Sequence, residues 1–157
     1  MMAVEVARNP RISDWSGIEA LLRAEFAFMG PRIDPPSSLT RMNAADLAAK
    51  AQTEDLFLIG SPTRPTACLF GAAAADHYYI GKLAVAASHR GTGLARRLID
   101  AAAIQARATS APCLRLHTRV ELTENHAAFA AIGFHQTGTF THPGFNRPTS
   151  LVFERPV

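Results

Sequence analysis

Among the residues of this chain, Arg90-Gly91-Thr92-Gly93 form the stretch whose types and spacing are best suited to chemistry. An apolar alternation, Leu83 and Val85, precedes it. After it Leu94, Ala95, Leu98, Ile99, Ala102 and Ala106 recur with helical spacing, with Arg96, Asp100 and Arg107 on the opposite side. A glycine turn feeding a helix leaves backbone N–H groups unpaired at the positive end of the helix dipole, and such a corner binds anions, phosphates above all. Two phosphate-binding motifs fail on the neighbouring residues. A Walker-type loop closes with Gly-Lys-Ser/Thr, whereas Gly93 runs into Leu94-Ala95. A dinucleotide fingerprint wants a third glycine where Arg96 stands, and an acidic residue about 20 positions on, where the chain has Ser110-Ala111-Pro112.

Arg90-Gly91-Thr92-Gly93-Leu94-Ala95 resembles the Arg/Gln-x-x-Gly-x-Gly/Ala signature of the GNAT superfamily of acyl-CoA-dependent N-acyltransferases. Asn125-His126-Ala127-Ala128-Phe129-Ala130-Ala131-Ile132-Gly133-Phe134 resembles a short form of that family's Asn-x-x-x-Tyr-x-x-x-Gly-Phe helix. The resemblance, with the strand ending Leu83-Ala84-Val85, spans residues 78–134. It implies that the turn amides hold the pyrophosphate of coenzyme A, while Leu83 to Val85 pair with the pantetheine arm and offer an N–H to the oxyanion. The implied coenzyme-binding set is Leu83, Ala84, Val85, Arg90, Gly91, Thr92, Gly93, Leu94, Ala95, Arg96, Asn125 and Phe129. Asn125 either contacts the pantetheine arm, orders a water, or caps its helix with Ala128 as the third helical residue, and these roles can coexist. The bland alternative for the turn is a strand-turn-helix corner in which the glycines only relieve crowding.

The implied reaction is transfer of an acetyl group from acetyl-CoA to a primary amine by direct attack in a ternary complex. An ammonium must first lose a proton, the oxyanion needs a donor, and the thiolate must depart. Where the family carries the tyrosine that protonates the thiolate, this chain has Phe129. A thiol of pKa about 8.5 is a fair leaving group without that help. The acid and base are not fixed by the sequence: Tyr79, His117 and Glu121 are the candidates, with Tyr78, Thr118, His142, Glu124 and Asp76 also near the expected strand ends. Neither Cys68 nor Cys113 lies in the two family-like segments, so no acyl-enzyme is expected. A non-catalytic CoA- or acyl-CoA-binding module is the rival reading, motivated by Phe129 and the lack of a clear base.

Composition narrows the class further. A chain of 157 residues suggests a single domain, 1–157. There are 16 Lys+Arg against 13 Asp+Glu, and Lys50 and Lys82 are the only lysines. Arginine forks suit phosphates, but the charges are scattered and not interleaved with aromatics, so nucleic acid is not an expected partner. The expected partner is a small-molecule or peptide amine, with a homodimer as a compatible assembly. Two distant cysteines and histidines without metal-ligand spacing imply neither a disulfide framework nor a metal. No apolar run approaches the roughly 18 residues of a membrane span, and no signal-type core opens the chain, so no membrane and a cytoplasmic setting are expected.

Elements to position these residues follow in order. Val4 to Ala7 alternates as an opening strand closed by Asn9-Pro10. A helix starts at Ser16-Gly17-Ile18-Glu19 as a capping box, or one turn earlier at Ser13 or Asp14, and ends at Gly30-Pro31. The 30–38 segment reads as irregular, and Asn43 to Asp46 cap a second helix reaching about Lys50 or Ala51. A hairpin (56–59 and 67–70), the central strand (78–85), the long helix, a strand from Cys113 to Thr118 parallel to the central one, a short helix from Asn125 to Ile132 and two closing strands complete the chain. The fold class is α+β with an α/β-type central mixed sheet, in the order β-α-α-β-β-β-α-β-α-β-β. The resemblance implies that the two early helices and their loop wall the acceptor pocket.

Overall fold

The computed structural model describes residues 5–27 and 29–157. Seven strands form one mixed sheet: β1 (Ala7–Arg8), β2 (Asp55–Gly60), β3 (Pro65–Ala73), β4 (Tyr78–Val85), β5 (Cys113–Arg119), β6 (His135–Phe140) and β7 (Ser150–Pro156), in the spatial order β1-β2-β3-β4-β5-β7-β6. Helices α1 (Ser16–Ala27), α2 (Ala44–Thr53), α3 (Leu94–Ala108) and α4 (Thr123–Ala131) complete the expected order. Only β4 and β5 run parallel; the other neighbours are antiparallel.

Each face of the sheet carries its own core. Leu94, Leu98, Ile99, Ala102, Ala103 and Ala106 form the buried stripe of α3 and pack on Tyr78, Ile80, Leu114 and Leu116, with Phe129 of α4 and Ile132 just beyond its end alongside. On the other face Ile18, Leu21 and Leu22 of α1 and Leu47 of α2 cover Leu56, Leu58, Cys68, Phe70 and Ala84. Burying a leucine such as Leu98 fully contributes about 1.5–3 kcal/mol, so the spacing that sequence pattern exposes is also what fixes α3 to the sheet. Helix α3 ends because Ser110 enters the left-handed region (φ 64°), letting Ala111 N–H reach Ala106 O at 2.9 Å and Ser110 N–H reach Arg107 O at 3.0 Å.

Several element boundaries differ from the sequence reading. The opening strand is Ala7–Arg8, paired with Leu58 and Phe57; Val4 lies outside the described residues. Asn9 closes it, its side-chain oxygen accepting from Leu56 N–H at 2.8 Å. Helix α1 has no Ser16–Glu19 capping box: Glu19 N–H bonds Trp15 O, Asp14 accepts from Ser16 N–H at 2.9 Å, and Glu19 pairs with Arg23 instead. The Asn43–Asp46 capping box is present, and α2 runs on to Thr53. The 30–38 segment is not wholly irregular, since Gly30–Arg32 and Ser38–Arg41 each make a 3₁₀ turn.

Tyr78 is turned away from any cleft. It is fully buried and donates to Asp55 at 2.6 Å, its ring filling the space that Gly71 leaves: a Cβ on Gly71 would lie 2.4 Å from that ring. Burial pushes the Asp55 carboxyl up, but hydrogen bonds from Tyr78, Asn9 and Arg8 outweigh it and hold the pKa below its ordinary value. That stabilisation is complete above the unfolded carboxylate's pKa of about 4 and fades as pH falls through the lower folded value. Tyr78→Phe should therefore cost about 1–2 kcal/mol at neutral pH in chemical denaturation, with the difference from wild type shrinking towards pH 3.

Candidate active site

Strands β4 and β5 pair only at Tyr78↔Leu114 and Tyr79↔Arg115, and beyond those residues the two strands part. The cause lies within β4. Cys68 pairs with Ala84 but Phe70 pairs with Gly81, so β4 carries one extra residue, and Lys82 takes φ 53°. A bulge of this kind bends and twists the strand that holds it. Ala86 N–H bonds Thr66 O at 2.8 Å, so by antiparallel alternation Val85 and Leu83 direct their backbone groups away from β3, into the gap.

The gap opens into a cleft of about 880 Å³. On the α3 side its walls are Leu83, Val85, Arg90, Gly91, Gly93, Leu94, Ala95, Arg96, Asn125 and Phe129. On the other side they are Met29, Ile33, residues 35–38, Tyr79, Lys82, His117, Arg119 and His142. Of the sequence-derived coenzyme set, Ala84 and Thr92 are not wall residues. Ala84 sits under α1 with Ile18 and Leu22, and the Thr92 hydroxyl donates back to His89 O at 2.5 Å.

The turn matches an anion site in its main chain. Gly91 (φ 77°) and Gly93 (φ 84°) are left-handed, and a Cβ on either would meet nothing within 4 Å. From Gly91 to Arg96 no backbone N–H has an acceptor in the described residues; the first helical bond is Arg97 N–H to Gly93 O at 3.2 Å. Six consecutive amides thus stand unpaired among the described residues at the positive end of a 15-residue helix, and all of their residues except Thr92 line the cleft. Arg90 ties the turn to α1 through Glu25 at 2.9 Å, and Arg96 ties it to the end of α4 through Ala131 O at 3.1 Å.

Asn125 lies inside α4, whose N-cap position is Leu122, so capping is not its role. Its side chain lines the cleft without a hydrogen bond among the described residues. Phe129 packs edge-on against Phe134, ring centroids 5.8 Å apart.

Of the catalytic candidates, Tyr79 and His117 come together and Glu121 does not. His117 is half-buried between Tyr79 and Phe140, with centroids 5.4 and 4.9 Å away, and its ring nitrogens make no hydrogen bond among the described residues. Burial lowers its pKa, and Arg115, His142 and His77 lower it further. Burial raises the Tyr79 phenol, although the backbone N–H of His117 favours its ionised form. Glu121 lies outside the cleft walls, one of its carboxylate oxygens buried without a partner. Glu124 is held by a bidentate fork from Arg32 (2.6 and 3.0 Å), which brings its pKa down to about 2. Asp76 pairs with His77 and Arg115 at the far end of the strands.

A family model described as the acetyltransferase (GNAT) family matches residues 34–134. The chain belongs to this family. The GNAT fold extends to solved structures of low identity. PaiA N-acetyltransferase from Thermoplasma acidophilum in complex with coenzyme A superposes with a TM-score of 0.80 at 11% identity, over 99% of this chain and 100% of that one. A GNAT family acetyltransferase from Elizabethkingia anophelis with acetyl-CoA bound gives 0.66 at 14% identity, over 97% and 98%. Nourseothricin acetyltransferase gives 0.59 at 21% identity, over 68% of this chain and 66% of its own. No curated protein sequence matches.

Among the described residues there is no cluster of three His, Cys, Asp or Glu arranged to hold a metal, and no helix is long and apolar enough to cross a membrane. Sequence reasoning on this GNAT chain placed the loop that holds residues 35–38 beside the acceptor pocket but passed over Lys82 and Arg119. Lys82 had a signal: the inward-facing apolar residues step from Tyr78 and Ile80 to Leu83 and Val85, a break of one residue in a period of two.

Proposed function

We propose that this GNAT protein transfers an acetyl group from acetyl-CoA to a primary amine by direct attack. The observation that carries the reading is the run of six amides, Gly91 to Arg96, unpaired among the described residues and lying, but for Thr92, along the cleft that opens where β4 and β5 part. These amides would hold the coenzyme's pyrophosphate, and the inward-turned backbone of Leu83 and Val85 would pair with the pantetheine arm. Asn125 would add a polar contact to that arm from α4.

Acetyl-CoA supplies the thioester; the chain supplies orientation, a base and an oxyanion donor. A backbone N–H of the parted β4 segment is the donor, preorganised because no β5 partner competes for it. His117 is the base: it is a wall residue, its nitrogens are unbonded and burial keeps it neutral at neutral pH, so it can accept the ammonium proton. Phe129 offers no acid, and the thiolate departs on its own leaving-group ability. Direct attack fits the thiols. Cys68 is fully buried under α1 and burial pushes it up to about 12, while burial and Glu154 raise Cys113, and neither lines the cleft.

Release of CoA thiol from acetyl-CoA, measured across a panel of amines with no-amine controls, should be amine-dependent. CoA binding without release for any amine would instead favour a binding module. Gly93→Val should weaken CoA binding at least tenfold, about 1.4 kcal/mol, because its side chain would stand in the open space before the turn; unchanged affinity in a folded variant would remove the turn from the site.

The pH dependence tests the base. The depressed His117 pKa predicts that kcat/KM falls on the acid side only as pH drops below 6.5. His117→Gln should abolish that inflection and lower kcat/KM by about 10²- to 10⁴-fold. An unaltered profile would assign the proton to another route.

A further inference from the structure

The half of the cleft away from the pyrophosphate turn is lined by cations. Lys82 leaves the β4 bulge and its ammonium bonds only a neutral partner, Ser38 Oγ, at 2.8 Å. Arg119 donates to the carbonyls of Pro35 at 2.7 Å and Pro36 at 3.4 Å, again neutral. Arg41 follows on the same 3₁₀ turn as Ser38 and has no ion pair among the described residues. His117 and His142 complete this wall, and the His142 ring is bonded to the Thr149 hydroxyl.

Carboxylates are missing from that wall. Among the described residues Glu25 is the one acidic wall residue, and it is paired with Arg90 at the turn. The acids facing the group from neighbouring elements are engaged or withdrawn: Glu54 pairs with Lys50 at 2.8 Å, Asp34 with Arg147 at 3.6 Å, and Glu121 lies outside the cleft. Lys82 and Arg119 lie in each other's field, as do Arg119 and His142, and both Lys82 and Arg119 have lowered pKa values with burial as the main cause. Glu54 acts on Lys82, and Glu121 and Asp34 on Arg119, but none forms an ion pair with either among the described residues. Charges withdrawn from water without a contacting counter-charge are costly, and a ligand that brings one recovers that cost. A polyamine would add like charge to the same space.

Resting on the transferase reading above, we propose that the acceptor is an amine carrying its own acid group, a carboxylate or a phosphate, which Lys82 and Arg119 bind so that the amine lies towards His117. The same field lowers the amine's proton affinity and so eases its deprotonation.

The test uses the full chain saturated with CoA and short amines that differ in charge: 2-aminoethyl phosphate, β-alanine, ethanolamine and ethylenediamine. Calorimetric binding should rank the two anionic amines at least tenfold above ethanolamine, with ethylenediamine weakest, and kcat/KM with acetyl-CoA should follow that order. A response to the phosphate alone or the carboxylate alone names the acid group. Lys82→Met should remove the preference while leaving CoA affinity intact; loss of CoA affinity instead would assign Lys82 to the coenzyme and overturn the proposal. Equal or tighter binding of ethylenediamine, no binding of any of the four, or a preference surviving in Lys82→Met would also overturn it. Acetyl transfer to ethylenediamine without charge preference sinks the proposal and leaves the transferase standing. Anion-selective binding with no transfer to any amine would overturn the transferase reading and the acceptor proposal with it, leaving Lys82 and Arg119 as an anion site alone.

Discussion

Lys82 gives β4 one more residue than β3 can pair, and consequences run in both directions along the strand. With a strict period of two, the face that holds Tyr78 and Ile80 would continue through Lys82 and Ala84. The bulge shifts the phase, so Leu83 and Val85 join that face against α3 while Ala84 goes under α1. The added twist carries β4 away from β5 after Tyr79, and the sheet gives up its backbone pairing where the cleft opens. One extra residue therefore creates the gap, turns unpaired backbone into it and sends a long cationic side chain into the opening. A left-handed conformation at a non-glycine residue costs of order 1–3 kcal/mol, and the two cores on either side of the strand hold it in place.

Charge is distributed along the cleft with the same economy. The turn end presents main-chain amides, with Arg90 and Arg96 occupied in tying α1 and α4 to it. The opposite end presents side-chain cations held by neutral partners. Carboxylates of the two early helices and the start of β2 are engaged elsewhere and build no cation pocket: Glu19 with Arg23, Asp46 in a helix cap, Asp55 with Arg8, Asn9 and Tyr78.

The fold was legible because its determinants are local. The stripe of α3, the Asn43 cap and the limits of β4 follow from spacing and turn chemistry, and strand and helix order came out as read. Errors fell where tertiary contacts compete with local preference. Glu19 had an arginine four residues on to pair with, and Asn9 drew the first strand towards Leu56. Within the cleft, the turn glycines and the parallel course of β4 and β5 could be read from the chain, but the meeting of Tyr79 with His117 could not, since it depends on the register of that pairing, Tyr79 opposite Arg115. Asn125 was ambiguous for a different reason: a cap and a wall residue look alike until the helix start is known to be Thr123.

The segment from Pro35 to Ser38 is fastened through two backbone carbonyls and one hydroxyl, by Arg119 and Lys82 reaching in from the sheet. Carbonyls exist at every position whatever the side chain, so most substitutions in this segment leave its principal anchors in place. The glycine turn before α3 has no such freedom, because its two left-handed residues favour glycine. Tolerance to substitution in this molecule is thus uneven: one end of the cleft is held to its residue types, while the strap at the other can be rewritten without first being rebuilt.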